Sequence, residues 1–80
     1  MDKLIITLNT LPIGKAAIIK KLMLDSNSRR RMLDLGLIEN TIIKSLHESP
    51  SKDPIAYGIR GTVIALRKEQ TSKIMVESLE

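Results

Sequence analysis

The chemistry open to this chain is limited by its ligands. His47 is the single histidine and there is no cysteine, so a transition-metal site would have to be assembled from His47, Glu48 and Asp53. Zinc and iron centres draw on several imidazoles or thiolates, and neighbouring strand residues such as His47 and Glu48 project to opposite faces. These residues read as surface or rim positions, and neither a specific metal site nor a cofactor is expected. The same shortage argues against catalysis. A nucleophile needs a base within reach, and the sequence has no cysteine, no Gly-x-Ser-x-Gly turn and no second histidine for a relay. Gly58-x-x-Gly61 lacks the Lys-Ser/Thr pair and following helix of a phosphate loop, so its glycines read as hairpin residues. The chain is expected to bind rather than to catalyse.

Its binding chemistry is cationic. Arg29, Arg30 and Arg31 are consecutive, within a net charge of +4. Such a charge suits an acidic protein face, nucleic acid or anionic lipid. Exposed arginines also serve as plain solvated charge whose stems cover apolar surface. In a helix capped by Asn27 or Ser28 the three occupy the first turns, where the dipole prefers anions, at a cost of at most roughly 0.3–1 kcal/mol per charge. Arginines placed against the dipole suggest use elsewhere. Loop 49–54 is short and polar, carries two prolines and is not needed for any strand; loops commonly carry contacts. Arg29, Arg30, Arg31, Pro50, Lys52 and Asp53 are therefore the expected partner-binding residues. Nucleic acid is the alternative partner. Barrels that bind single strands stack bases on aromatic rings, each worth roughly 1–3 kcal/mol, and Tyr57 is the only aromatic residue. Stacking is disfavoured, while binding through phosphates alone stays open.

Elements that could position these residues are short. Eighty residues allow one domain, 1–80, and 42% hydrophobic content suits a globular chain. Its core must be aliphatic and its stability modest, with no disulfide to help. Turn signals at 11–14, 25–28, 39–40, 49–54 and 58–61 cut the chain into pieces mostly too short for helices. Strands are expected over 15–23, with Leu22 out of step and a bulge possible there, and over 41–48, 55–59, 62–67 and 74–76. Ile55, Tyr57 and Ile59 share one side of the third, Ile64 and Leu66 one side of the fourth. Arg60-Gly61 makes the turn between those two, and 68–73 can form one helical turn. One helix runs from Asn27 or Ser28 through Leu35, with Gly36 as its left-handed cap and with Met32 and Leu35 covering an open barrel end. The expected fold is mainly β, a small SH3-like barrel of about five strands with one short α-helix. The N-terminus lacks the marks of a signal peptide and no apolar run is long enough to cross a bilayer, so a cytoplasmic location is expected.

The order of these pieces resembles the FeoA domain family. Leu8-x-x-Leu11-x-x-Gly14, Ala17-x-Ile19 and Arg31-Met32-Leu33-Asp34-Leu35-Gly36-Leu37 resemble its opening. Ser49-Pro50, Asp53-Pro54, Ile64-Ala65-Leu66-Arg67 and Ile74-x-Val76 resemble its second half, so the likeness covers nearly the whole chain. Departures are Glu39-Asn40 in place of Pro-Gly, Lys52 where glycine is frequent, and Thr71 where alanine is common. Asn40 can still adopt the positive φ that glycine supplies. The resemblance implies a small cytoplasmic accessory of bacterial ferrous iron uptake. Its partner would be FeoB, a membrane permease with an intracellular GTP-binding domain that would recruit it to the inner face of the membrane. It also implies an SH3-like barrel, an association with transition-metal transport, and scope for weak homo-oligomerisation. The same barrel occurs as a C-terminal module of iron-dependent repressors, and the chain carries no helix-turn-helix beside it.

Overall fold

In the computed structural model, which describes residues 4–79, every strand is antiparallel to its neighbours. The strands are β1 (Ile5–Thr7), β2 (Ala16–Leu22), β3 (Ile42–Glu48), β4 (Ile55–Ile59), β5 (Thr62–Leu66) and β6 (Ile74–Ser78). A 3-10 turn, Leu8–Thr10, follows β1, helix α1 (Ser26–Asp34) links β2 to β3, and α2 (Lys68–Thr71) links β5 to β6. The sheet order is β1-β6-β2-β3-β4-β5.

The sheet must be rolled, and its own residues show why. Six flat strands would spread over about 24 Å at the usual strand spacing. Yet Leu66 on β5 and Ile6 on β1, the two ends of that order, pack on the same core as Ile19, Ile43, Tyr57 and Val76. Two bulges supply curvature. Pairing of β2 with β6 shifts between Ile19 and Lys21, and pairing of β3 with β4 shifts between Ser45 and His47. An extra residue bends and twists the strand that carries it, which is how Ile19 and Leu22, three apart, are both buried. Leu46, the extra residue of β3, lies over Gly58 of β4, where an added β-carbon would sit 3.3 Å from Leu46 Cδ1.

Strand positions read from the sequence agree closely with those observed, and three expectations need correction. A sixth strand, β1, precedes the five. The strand expected over 62–67 stops at Leu66, because the Arg67 carbonyl accepts from the Gln70 and Thr71 amides as α2 begins. Leu35 does not cover the barrel end: it is 42% exposed, and Leu37, fully buried, takes that place beside Met32.

Candidate partner-binding surface

Helix α1 begins earlier than its sequence suggests. Asp25, not Asn27 or Ser28, is the cap: its Oδ1 accepts from the Ser28 amide at 2.8 Å, and its carbonyl accepts from the Arg29 amide at 2.8 Å. The Ser28 amide and hydroxyl beside it hold the Asp25 carboxyl below its ordinary value, with Lys73 adding to the effect. At the other end the Gly36 amide reaches the Leu33 carbonyl and the Leu37 amide reaches the Met32 carbonyl, both at 3.0 Å, with Gly36 at φ +100°. That is a complete Schellman closure, whose usual accompaniment is an apolar contact between the residues playing the parts of Met32 and Leu37. Both are buried in the core.

This placement changes the electrostatics of the arginines. With the helix opening at Ser26, Arg29 lies beyond the first turn and Arg31 in the last turn, where cations are favoured. The expected conflict with the helix dipole is absent, because the cap lies two or three residues upstream of where it was expected.

The three arginines are exposed, and no ion pair engages them among the described residues. Successive helical positions are about 100° apart, and the side chains diverge accordingly. Arg31 and Leu35 face a groove walled by Ala65, Leu66, Arg67 and Gln70. Arg29 and Leu33 face Lys20, Lys21 and Leu22 of β2. Arg30 lies beside Leu33 and Asp34 on the outer side.

Loop 49–54 is held from within and from α2. The Ser49 amide donates to the Pro54 carbonyl at 3.2 Å, the Lys52 amide to the Ser49 carbonyl at 2.8 Å, and Ser51 Oγ to the Asp53 carbonyl at 2.9 Å. Asp53 Oδ1 accepts from the Lys68 amide at 2.9 Å, so this carboxylate orients α2. Pro50 and Lys52 are exposed, and Lys52 adopts φ +69°, a left-handed conformation that glycine takes at less cost.

The loop and α1 do not form one patch. A groove beside the loop is walled by Asn9, Glu48, Lys52, Ile55, Leu66 and Lys68. It shares Leu66 with the groove that holds Arg31, so the end of β5 stands between the two expected regions. Arg67 and Lys68, on that divide, were not singled out from the sequence. Their adjacency just after an uncharged strand was the available signal. His47 and Glu48 are exposed, and among the described residues no three His, Cys, Asp or Glu side chains gather where they could hold a metal. Tyr57 is fully buried. Burial pushes its hydroxyl pKa up, opposed by the Thr71 hydroxyl and assisted by the Asp53 carboxylate, and a ring this buried cannot stack on a nucleobase.

Relatives share this architecture. A FeoA-like protein from Clostridium acetobutylicum is 34% identical and superposes with a TM-score of 0.88, over 100% of this chain and 92% of that one. The zinc complex of Stenotrophomonas maltophilia FeoA, described as a prokaryotic SH3 domain protein, superposes with a TM-score of 0.76 at 24% identity, over 89% of this chain and 88% of that one. In sequence the chain is 31% identical, over 70 residues, to the Fe(2+) transport protein A/Fe(2+) transporter FeoB fusion protein of Porphyromonas gingivalis. The match takes in 88% of this chain but spans only 8% of the fusion protein's length. The FeoA domain model matches residues 6–78; with its rolled antiparallel sheet and its glycine-closed helix, the chain belongs to the FeoA domain family.

Proposed function

We propose that this chain, acting as one domain over 1–80, is a cytoplasmic accessory of ferrous iron uptake that works by binding a FeoB-type permease. The observation that carries this reading is the relative in which a FeoA segment and FeoB are a single polypeptide. Two modules encoded as one chain are held at high effective concentration, and separate chains serving the same purpose need a docking surface instead. The arginines of α1 supply exposed cations with no internal partner among the described residues, and the loop beyond Leu66 supplies Pro50 and Lys52 beside Asp53. On this reading docking uses two regions on either side of the end of β5, Arg29, Arg30 and Arg31 on α1 and Pro50, Lys52 and Asp53 on the loop, with Asp53 fixing the loop. Binding to the permease brings the domain to the inner face of the membrane.

Charges of this kind act mainly on association rate and weaken with salt. The double substitution Arg29→Glu, Arg30→Glu leaves the core untouched and is expected to reduce capture of a FeoB cytoplasmic domain at low salt. Normal capture by that variant places the docking face elsewhere. Duplex DNA run alongside tests the phosphate-binding alternative: tight binding of DNA by the unsubstituted chain, without capture of FeoB, makes nucleic acid the partner.

A further inference from the structure

Among the described residues β5 has one neighbour, β4, and its other edge is unpaired. The two-residue turn at Arg60 and Gly61, with φ of 52° and 80°, is of type I′. It makes Ile59 and Thr62 a hydrogen-bonded pair. Alternation along the register then points the peptide groups of Thr62, Ile64 and Leu66 toward β4, and those of Val63 and Ala65 away from it. Arg67 closes the edge, since its amide donates to Gln70 Oε1 at 3.2 Å.

Exposed edges are normally protected by charge, proline or a bulge. Here Thr62–Leu66 is an uncharged run, TVIAL, paired without a register shift, and Val63 is 61% exposed. Cations outnumber anions around it: Arg60 stands before it, Arg67 and Lys68 after it, and Arg31 across the groove that Ala65 and Leu66 share with Leu35, with Glu69 the single carboxylate lining that groove. A second copy of the chain is a poor occupant. Pairing two β5 edges would bring together two copies of the cations that flank the edge, Arg60, Arg67, Lys68 and Arg31, and like charges repel.

We infer that the free edge of β5 is a strand-docking site for an extended segment of another protein, with β-branched or apolar residues at its centre and carboxylates near both ends. Main-chain bonds to Val63 and Ala65 supply the pairing, as in other β-augmentation. Arg60 at one end, and Arg67 with Arg31 at the other, supply the charge selection, with acidic positions about seven residues apart. Leu35, just past the end of α1, walls the far side of the groove, which gives its exposure a use. The inference deepens the protein-binding reading by naming a contact strand, and it rests on that reading.

The test uses the full chain and two short synthetic peptides alternating threonine and valine, one flanked by paired glutamates and one by paired lysines. At saturation the glutamate peptide is expected to slow amide exchange at Val63 and Ala65 at least tenfold, and the lysine peptide to bind at least tenfold more weakly. Ala65→Pro removes an outward amide without touching the β4 ladder, and is expected to abolish binding with an unchanged denaturation midpoint. Should that midpoint fall, Val63→Glu, which sets a carboxylate on the edge against those of the peptide, is expected to weaken the glutamate peptide at least tenfold. Equal affinity for the two peptides, or no slowing at Val63 and Ala65, overturns the inference. FeoB captured normally by folded Ala65→Pro overturns the edge as the FeoB contact and leaves the protein-binding reading intact. Peptide pairing at the edge without any capture of FeoB supports the edge and removes FeoB as its partner.

Discussion

Helix α1 and the β4–β5 hairpin are both short local units closed by residues of positive φ, and they are used in opposite ways. The hairpin buries Tyr57, Ile59 and Leu66, whereas the nine residues of α1 bury only Met32. The units meet where the Arg60 stem lies alongside Gly36, a β-carbon on which would stand 3.7 Å from Arg60 Cδ. A helix this short is not stable alone. Its caps and one buried methionine hold it in place, and the rest of its surface is free to vary. Stability is concentrated in the hairpin, and the charge available for recognition is displayed by the helix.

The strongest way to break that division is to remove apolar bulk from each unit. Ile59→Ala leaves a cavity in the core and is expected to cost about 2–5 kcal/mol. That is a large share of the roughly 4–12 kcal/mol available to an 80-residue domain. Leu33→Ala, on the half-exposed side of α1, is expected to cost less than about 1 kcal/mol. Urea denaturation of both variants measures the contrast, and equal losses would show that α1 is as much part of the core as the hairpin. A smaller effect is expected at the helix closure. Gly36 sits at φ +100°, where a β-branched side chain is a steric outlier, so Gly36→Val should cost at least about 1–2 kcal/mol. An unchanged denaturation midpoint would mean that the Schellman closure contributes nothing to stability.

The hairpin was legible in the sequence for the same reason that it is stable. Ile55, Tyr57 and Ile59 alternate with Ala56 and Gly58, and Arg60-Gly61 ends the pattern, so a local rule and the tertiary structure agree. The helix was legible only at its glycine. Asp25, Ser26, Asn27 and Ser28 are all residues that favour caps, and composition does not choose among four consecutive candidates. The choice of Leu35 as a core residue followed helical spacing from Met32. The chain reverses at Gly36, so the second core residue, Leu37, comes from beyond the helix, where that spacing no longer applies. The placement of β6 between β1 and β2 was not legible, because strand patterning reports which face is buried and not which distant strand is adjacent. At the candidate surface the six residues could be named. The walls opposite them could not, and for Arg67 and Lys68 the one signal was their adjacency after an uncharged strand, which does not say that α2 folds back beside loop 49–54.

A turn substitution sharpens the contrast where the two units touch. Arg60 adopts φ +52° at the first central position of its turn, where asparagine before glycine is favoured. Left-handed backbone costs an ordinary residue roughly 1–2 kcal/mol, and asparagine is among the residues that accept it. An exposed cation near the C-terminus of α1 contributes only about 0.3–1 kcal/mol. Relief of the backbone should therefore win, and Arg60→Asn is expected to raise the denaturation midpoint. A lower midpoint would mean that Arg60 matters more for clasping the end of α1 than for closing the hairpin, and the two units would not be separable.

The smallest expected effect lies at the other end of α1. The Ser28 amide holds the Asp25 carboxyl below its ordinary value of 3.8, with Lys73 contributing less. A carboxyl whose value is depressed by folding stabilises the folded state fully above its unfolded value, and the stabilisation is lost as pH falls through the folded value. The Asp25 contribution should thus be constant from neutral pH down to about pH 4 and should disappear below it. Asp25→Asn keeps a capping oxygen for the Ser28 amide and removes the titration. Every other carboxylate titrates alike in the two proteins, so the difference between their denaturation midpoints isolates this group. That difference should favour the unsubstituted chain at about pH 5 and shrink or reverse at about pH 2.5. A difference that stays constant across the interval would show that the 2.8 Å contact between Asp25 and the Ser28 amide is no stronger as a carboxylate than as a neutral cap. The start of α1 would then be set by the geometry of the chain leaving β2 and not by charge.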